Sequence, residues 1–316
     1  MSDRWLRRAY SILERHLGES VVTDRPLAKE TTLRIGGPAA VFATADTFHN
    51  LRVVFETVVD YDLPWFVLGK GSNLLISDAG FDGVVVRLGR DFRRIEVSGS
   101  EIRAGGAMPL SMLVQAALKH ALGGLAFAIG IPGTLGGGIA GNAGAHGGCL
   151  GDIVRSATVF LSKGELRSID KSEMTFGYRE SSLGQDEIIV EVSLGLRPAD
   201  IDLVQMDMER FFRQRKETQP LHHPSAGSTF KNPPGDSAGR LIEEAGCKGL
   251  SIGGAKVSEQ HANFIINTGG ATALDIYALM LKVRRRVEEA SGVLLEPEIR
   301  LLGAFSEELM ETDHAR

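Results

Sequence analysis

Cysteine is scarce: Cys149 and Cys247 are the two in a chain of 316 residues. That excludes a disulfide scaffold and points to a reducing compartment. A basic excess is also missing. Lys and Arg number 35 against 40 Asp and Glu, a formal net charge of −5, so no chain-wide positive field serves nucleic acid. The start, Met1 to Arg8, is charged with no apolar stretch behind it, which predicts no signal peptide. No Walker A loop, no Gly-x-Ser-x-Gly elbow and no repeat of fixed period occurs. The histidines, including His222, His223 and His261, lack metal spacing with Cys, Asp or Glu, so no metal is expected. His120–Gly151 carries no Asp, Glu, Lys or Arg and is long enough to cross a bilayer. Yet positions 123–151 hold 12 glycines, with Pro132, Asn142 and His146 in the same stretch. Such a chain breaks its own helix and would leave backbone groups unpaired in lipid. The expectation is a cytoplasmic protein with neither membrane nor nucleic acid as partner.

Glycine is what the chain has in excess. Its 38 glycines are about 12% of the residues, against about 7% ordinarily. Hydrophobic residues make up 43% and charged residues 24%, a globular composition that excludes whole-chain disorder or coiled coil. The length suits two or three modules.

Periodicity predicts three α+β sections rather than strict βαβ alternation. The first has helices over Trp5–Leu17 and Thr47–Tyr61, with strands at Trp65–Leu68, Leu74–Ile76 and Val84–Leu88. The second has a hairpin, Ile95–Val97 with Ile102–Ala104, and a helix over Pro109–Ala121 with Pro in its first turn and Gly123 as its stop. Strands follow at Val154–Leu161, Glu165–Ile169 and Ile188–Leu196, and Arg197–Asp200 reads as a boundary. The third has helices over Leu203–Lys216, over Asp236–Ala245 with Asp236 as cap and Gly246 as stop, and from Thr272 with Asp275 completing a capping box. The basic run Lys282–Arg286 is read as the last part of that helix, where the dipole favours cations.

Two glycine segments point to chemistry. In Leu68-Gly69-Lys70-Gly71-Ser72-Asn73-Leu74-Leu75, glycines let consecutive N–H groups turn toward one anion, Lys70 adds charge, and Ser72 and Asn73 add donors. Gly130–Ala145 contains Gly136, Gly138 and Gly141 at the G-x-G-x-x-G spacing, but Pro132 stands where the leading strand should end, so the Rossmann reading fails. A tight glycine turn is one reading; backbone packed against a large ligand, where a Cβ would collide, is the other. Two such loops with polar donors favour a phosphate-bearing cofactor. Ser225–Pro233 adds a hydroxyl, an ammonium and an amide in one turn-rich stretch, though spacing alone makes Ser228 no catalyst.

In order, Thr32–Ala39, Leu68–Leu75, Gly130–Ala145, Phe176–Ser181, Ser225–Pro233, Gly239–Glu243, His261–Asn267 and Leu295–Arg300 resemble the motifs of the UDP-N-acetylenolpyruvoylglucosamine reductase family, flavoproteins of peptidoglycan precursor synthesis. The resemblance covers about residues 20–303. It implies an α+β fold: a two-subdomain FAD-binding module of the PCMH/VAO (vanillyl-alcohol oxidase) type, then a C-terminal α+β substrate-binding domain. Laid on this chain, that means an N-terminal helix in 1–19, FAD-binding subdomains at 20–90 and 91–199, a substrate domain at 200–303 and a flexible tail at 304–316. The short span after Arg179 is similar to the family's type II branch, which lacks an extra substrate-covering loop.

The resemblance also implies noncovalent FAD, NADPH as co-substrate and UDP-N-acetylglucosamine enolpyruvate as substrate; the sequence itself carries no oligomeric state, and a monomer is the expectation. NADPH reduces the flavin and leaves. Hydride then passes from flavin N5 to the enolpyruvyl methylene carbon and a proton to its neighbour, giving UDP-N-acetylmuramate. Carried over by motif, Ser228 is the proton donor, Arg179 stabilises the enolate and Glu298 is its partner. Gly69, Lys70, Gly71, Ser72, Asn73 and Leu74, with Gly130, Pro132, Thr134, Gly138, Gly141, Asn142, Ala143 and Gly144, are cofactor candidates. Tyr178, Lys231, Asn232, His261 and Asn263 are substrate candidates. The chemistry is coherent: a guanidinium offers fixed, charge-assisted donors to the dianion that forms. Glu298 helps when protonated, so burial should raise its pKa.

Other readings remain open here. Arg179 can be a salt-bridge partner of Glu180 or Glu187, Glu298 a solvated strand face, and Glu296 is the rival acid. His146 stands where many relatives carry tyrosine and Cys149 where an acid is frequent; both residue types anchor flavin covalently elsewhere in the superfamily. A flavin oxidase or dehydrogenase acting on another substrate is the second enzyme reading. A nucleotide-binding regulator without catalysis is the third.

Overall fold

A computed structural model describes residues 4–161, 164–184 and 187–305. Of the expected tail, residues 306–316 lie outside the described residues. The chain divides into two compact units: Met1–Thr23, Val41–Lys70 and Gly83–Arg215 form one, and Asp24–Ala40, Gly71–Asp82 and Lys216–Arg316 the other.

The first unit is built on antiparallel pairing. Five strands lie in the order Leu166–Asp170, Val154–Leu161, Glu187–Gly195, Glu101–Gly105, Ile95–Ser98. Val192 and Leu194 of the central strand are buried with Leu110, Leu113 and Val114 of the helix Leu110–Lys119. The expected Pro109–Ala121 helix is shorter: Pro109, at ψ 135°, is its N-cap rather than a first-turn residue. A second helix, Phe48–Asp60, starts where Thr47 and Asn50 form a capping box and buries Leu51, Val54, Phe55 and Val58. The ring of Phe55 meets Trp65 edge-on at 4.8 Å, fixing that helix on the strand Trp65–Val67, which pairs in parallel with Phe81–Leu88.

Within Gly130–Ala145 the structure forms one short helix, Leu135–Ala140, capped by Thr134. Two tight hairpins follow: Gly144–Ala145 with Gly148–Cys149, and Phe176–Gly177 with Glu180–Ser181.

The second unit packs the helices Ala238–Glu244 and Ala273–Ser291 on a small antiparallel sheet, Ser251–Ile252, Ala255–Val257 and Ile265–Asn267. Ile276, Met280, Val283 and Val287 line one helical face and are buried, as the period requires. Thr272 and Asp275 form the expected capping box, and Gly292 ends the helix in the left-handed region. Because the helix runs to Ser291, Lys282–Arg286 falls before its last turn, which has no basic residue. Arg284 instead donates from Nε to the Leu295 carbonyl at 3.0 Å. The expected cap of the shorter helix also moves. Ser237 Oγ accepts the Arg240 amide at 3.1 Å, while Asp236 binds the Arg240 guanidinium. That pairing, helped by the Ser237 amide, pulls the Asp236 carboxyl down to about 2. Leu74–Ile76 pairs in parallel with Arg300–Leu302.

Candidate functional site

In the first unit the two glycine segments touch. A Cβ built on Gly69 would lie 2.7 Å from the Thr134 hydroxyl, so a side chain there would push the segments apart. The early amides of the helix Leu135–Ala140 are already used: Leu135 and Gly136 donate to the Met108 and Gly106 carbonyls at 2.8 Å each. Gly137 donates to Thr134 Oγ1 at 3.5 Å. Among the described residues the amides of Gly69 and Lys70, and those of Gly133 and Thr134, donate no backbone hydrogen bond, so both segments keep backbone donors ready for an anion. Several glycines of the second segment serve packing. A Cβ on Gly138 would meet Leu150 Cδ1 at 2.7 Å, and one on Gly136 the Gly106 and Ile189 carbonyls at 3.1 Å. Gly130 adopts φ +72°, Pro132 is exposed, and a Cβ on Gly141 would have no contact closer than 3.6 Å.

Asn142 departs from the simple picture of a cofactor-facing amide. It is buried, its Nδ2 donates to the Gly177 carbonyl at 2.8 Å and its Oδ1 accepts the Gly151 amide at 2.9 Å. Ala143 is held by backbone bonds to Gly138 and Leu150. The Gly144 carbonyl accepts Nη1 of Arg179 at 3.0 Å. Arg179 sits at φ +61° in its hairpin turn, with its guanidinium carbon 5.3 Å from the ring centre of the exposed Tyr178.

His146 and Gly147, at φ +52° and +80°, make the turn of the neighbouring hairpin. The His146 ring stacks on Phe211 with centres 4.3 Å apart. Burial and the Arg215 charge both lower its pKa. The Cys149 thiol is pushed up, first by burial and then by its hydrogen bond with Asp152.

In the second unit the loop residues Gly71 to Asn73 are tied to neighbouring backbone. Gly71 adopts φ +57°, its Cβ position 2.4 Å from the Glu30 carbonyl, and its own carbonyl accepts the Thr32 amide at 3.2 Å. Ser72 is half-buried. Asn73 donates from Nδ2 to the Glu298 carbonyl at 3.1 Å and accepts the Arg300 amide at 3.1 Å; Leu74 is buried in the strand that follows.

The segment carrying Ser228 runs beside the segment carrying Glu298. The Thr229 carbonyl accepts the Glu298 amide at 2.8 Å, the Glu296 carbonyl accepts the Lys231 amide at 2.9 Å, and Phe230 bridges Pro297 antiparallel. Ser228 and Glu298 are both half-buried. Glu296 faces out and pairs with Lys231 Nζ at 3.3 Å. Asn232 accepts the Ala238 amide at 3.0 Å, at the start of the helix Ala238–Glu244. Asn263 spends both ends of its amide on Phe230, and its own N–H donates to His261 Nδ1 at 3.3 Å. Burial first, then Lys248, lowers the His261 pKa.

Side-chain clamps of this kind were beyond sequence reasoning. Asparagine at a glycine-rich segment reads equally as ligand or as brace, and the positive φ of Asn142, His146 and Arg179 left no signal. Among the described residues no His, Cys, Asp and Glu cluster fits a metal, and no helix is long and apolar enough to cross a membrane.

Comparison with known proteins supports the same assignment. Residues 38–170 match a family model described as FAD binding domain, and residues 219–302 match the UDP-N-acetylenolpyruvoylglucosamine reductase C-terminal domain. UDP-N-acetylenolpyruvoylglucosamine reductase 2 of Symbiobacterium thermophilum is 47% identical over 279 residues, 88% of this chain and 91% of that protein. The reductase of Anoxybacillus flavithermus is 40% identical over 294 residues, 92% of this chain and 97% of its own. The crystal structure of the Thermus caldophilus reductase aligns with a TM-score of 0.77 at 37% identity, covering 90% of this chain and 98% of that one. An FAD-binding module followed by the reductase C-terminal domain, matched nearly end to end, places this chain in the UDP-N-acetylenolpyruvoylglucosamine reductase family.

Proposed function

We propose that the chain is an FAD-containing, NADPH-dependent UDP-N-acetylmuramate dehydrogenase that reduces UDP-N-acetylglucosamine enolpyruvate. The observation that carries this is the hydrogen bond from the Glu298 amide to the Thr229 carbonyl at 2.8 Å, which seats an acid beside the serine segment expected to donate the proton. The residues fit the cofactor. In the first unit the amides of Gly69, Lys70, Gly133 and Thr134 donate no backbone hydrogen bond and would hold the anionic part of FAD. Bound FAD supplies the hydride relay from NADPH to the substrate.

Ser228 donates its hydroxyl proton to the carbon next to the carboxylate. A serine hydroxyl is a weak acid, so it works only toward a far more basic carbanion. Arg179 supplies charge-assisted donors to the carboxylate as negative charge builds. Glu298, seated beside the serine segment, is the acid assigned to support that charge, and the Glu296 carboxylate pairs with Lys231. Noncovalent flavin is supported by the stacking of the His146 ring on Phe211 and by the burial that raises the Cys149 thiol pKa. Two free cysteines support a cytoplasmic location.

The test is an anaerobic visible spectrum. NADPH should bleach the flavin band, and the enolpyruvyl substrate should restore it without oxygen. Recovery with oxygen alone would move the assignment to a flavin oxidase on the same fold.

A further inference from the structure

We propose that Asn142 is a positioning residue for Arg179, so that the glycine segment sets the place of the arginine as well as lining the cofactor. The inference rests on the reading of Arg179 as the cation that meets the reacting carboxylate. Arg179 is carried by a two-residue turn between Phe176–Gly177 and Glu180–Ser181. A strand pair of two residues is too short to hold its own register, so the turn needs outside support. Three contacts from one short stretch give it. Asn142 Nδ2 holds the Gly177 carbonyl at 2.8 Å, at the foot of the turn. The Gly144 carbonyl accepts Arg179 Nη1 at 3.0 Å, at the far end of the side chain. Ser181 Oγ donates to the Ala140 carbonyl at 3.1 Å, on the returning strand.

Asn142 is the member whose contact runs through a side chain. At 6% exposure it is enclosed. Its orientation is determined by its partners, since Gly177 offers a carbonyl and Gly151 an N–H, so only one placement of the amide satisfies both. Its Oδ1 bond to Gly151 at 2.9 Å ties the turn to the helix Leu150–Ile153. With its backbone at φ +42°, asparagine is among the few side-chain-bearing residues that tolerate the conformation.

The test uses the full-length, FAD-loaded enzyme and follows each half-reaction by stopped flow. Asn142→Asp keeps the size and the acceptor for Gly151 but sets a carboxylate oxygen against the Gly177 carbonyl. Asn142→Ser, run in parallel, keeps a small polar group should the carboxylate prevent folding. Flavin reoxidation by substrate should slow on the order of tenfold to 100-fold, the scale of a small misplacement of a catalytic group. FAD stoichiometry, the flavin spectrum and reduction by NADPH should stay unchanged. In an Arg179→Lys background the same substitution should add less than about twofold, because the two act as a unit. Loss of FAD or a parallel slowing of NADPH reduction would assign Asn142 to the flavin and overturn the proposal, as would normal rates in both half-reactions. Should Arg179→Lys alone leave reoxidation untouched, it is the role of Arg179 that fails, and the two failures are told apart.

Discussion

Asn263 holds Phe230 by both of its backbone polar atoms: Oδ1 accepts the Phe230 amide at 2.9 Å and Nδ2 donates to its carbonyl at 2.8 Å. Phe230 lies two residues beyond Ser228, with its own ring fully enclosed in the second unit's core. The conformation of the serine segment therefore depends on the buried Asn263 amide. Asn263→Ala leaves both Phe230 groups without a partner in a dry interior. At about 1–3 kcal/mol for each stranded group, stability should fall by about 2–6 kcal/mol. Urea unfolding checks this, with the midpoint dropping and the m-value unchanged.

Ser228→Ala separates the two half-reactions. NADPH reduction of the flavin needs no proton from this hydroxyl and should proceed at its normal rate. Reoxidation by the enolpyruvyl substrate should slow by about 10²–10⁴-fold, the usual worth of a positioned acid. Equal rates for mutant and parent in both phases would remove Ser228 from the chemistry.

Gly69→Ala should release flavin. The added methyl would fall 2.7 Å from the Thr134 hydroxyl, which caps the helix Leu135–Ala140. Displacing that cap costs about 1 kcal/mol, and the methyl also intrudes on the loop proposed to lie against the cofactor. FAD affinity, measured by titration of the apoprotein, should weaken, whereas Thr134→Ser, which keeps the capping oxygen, should bind FAD as the parent does.

His261 predicts a pH dependence of stability. Its folded pKa is lowered, chiefly by burial, so the unfolded chain binds this proton more readily than the folded one. The stabilisation is complete above the unfolded value of about 6.5 and is lost as the pH falls toward the folded value. His261→Gln should flatten the stability profile in that window, read as denaturant midpoints between pH 8 and pH 5.

Helices with clear apolar periodicity were legible in the sequence. Thr272 and Asp275 announce their helix, and Ile276, Met280, Val283 and Val287 do face the core. The cap at residue 236 was misread because Asp236 and Ser237 are both good N-caps, and only the ion pair with Arg240 decides between them. The helix inside Gly130–Ala145 was illegible for a different reason. Three consecutive glycines, Gly136 to Gly138, oppose helix formation by propensity, yet the Gly106 and Ile189 carbonyls crowd a Cβ at Gly136 and the Leu150 and Leu110 side chains one at Gly138.

The sequence by itself determined the family, and with it the α+β class, the flavin and the order of the motifs, because these rest on residue identity at spaced positions. Tertiary structure alone decided which polar side chains face inward as braces. Asn142 and Asn263 are the same residue type as Asn73 and Asn232, and all four lie in motifs that resemble a binding site. What separates them is burial and the direction of nearby carbonyls and amides. Those are set by chain segments distant in sequence, Gly177 for Asn142 and Phe230 for Asn263. A local pattern carries no record of such partners, since a hydrogen bond is made by geometry and the residue names only permit it.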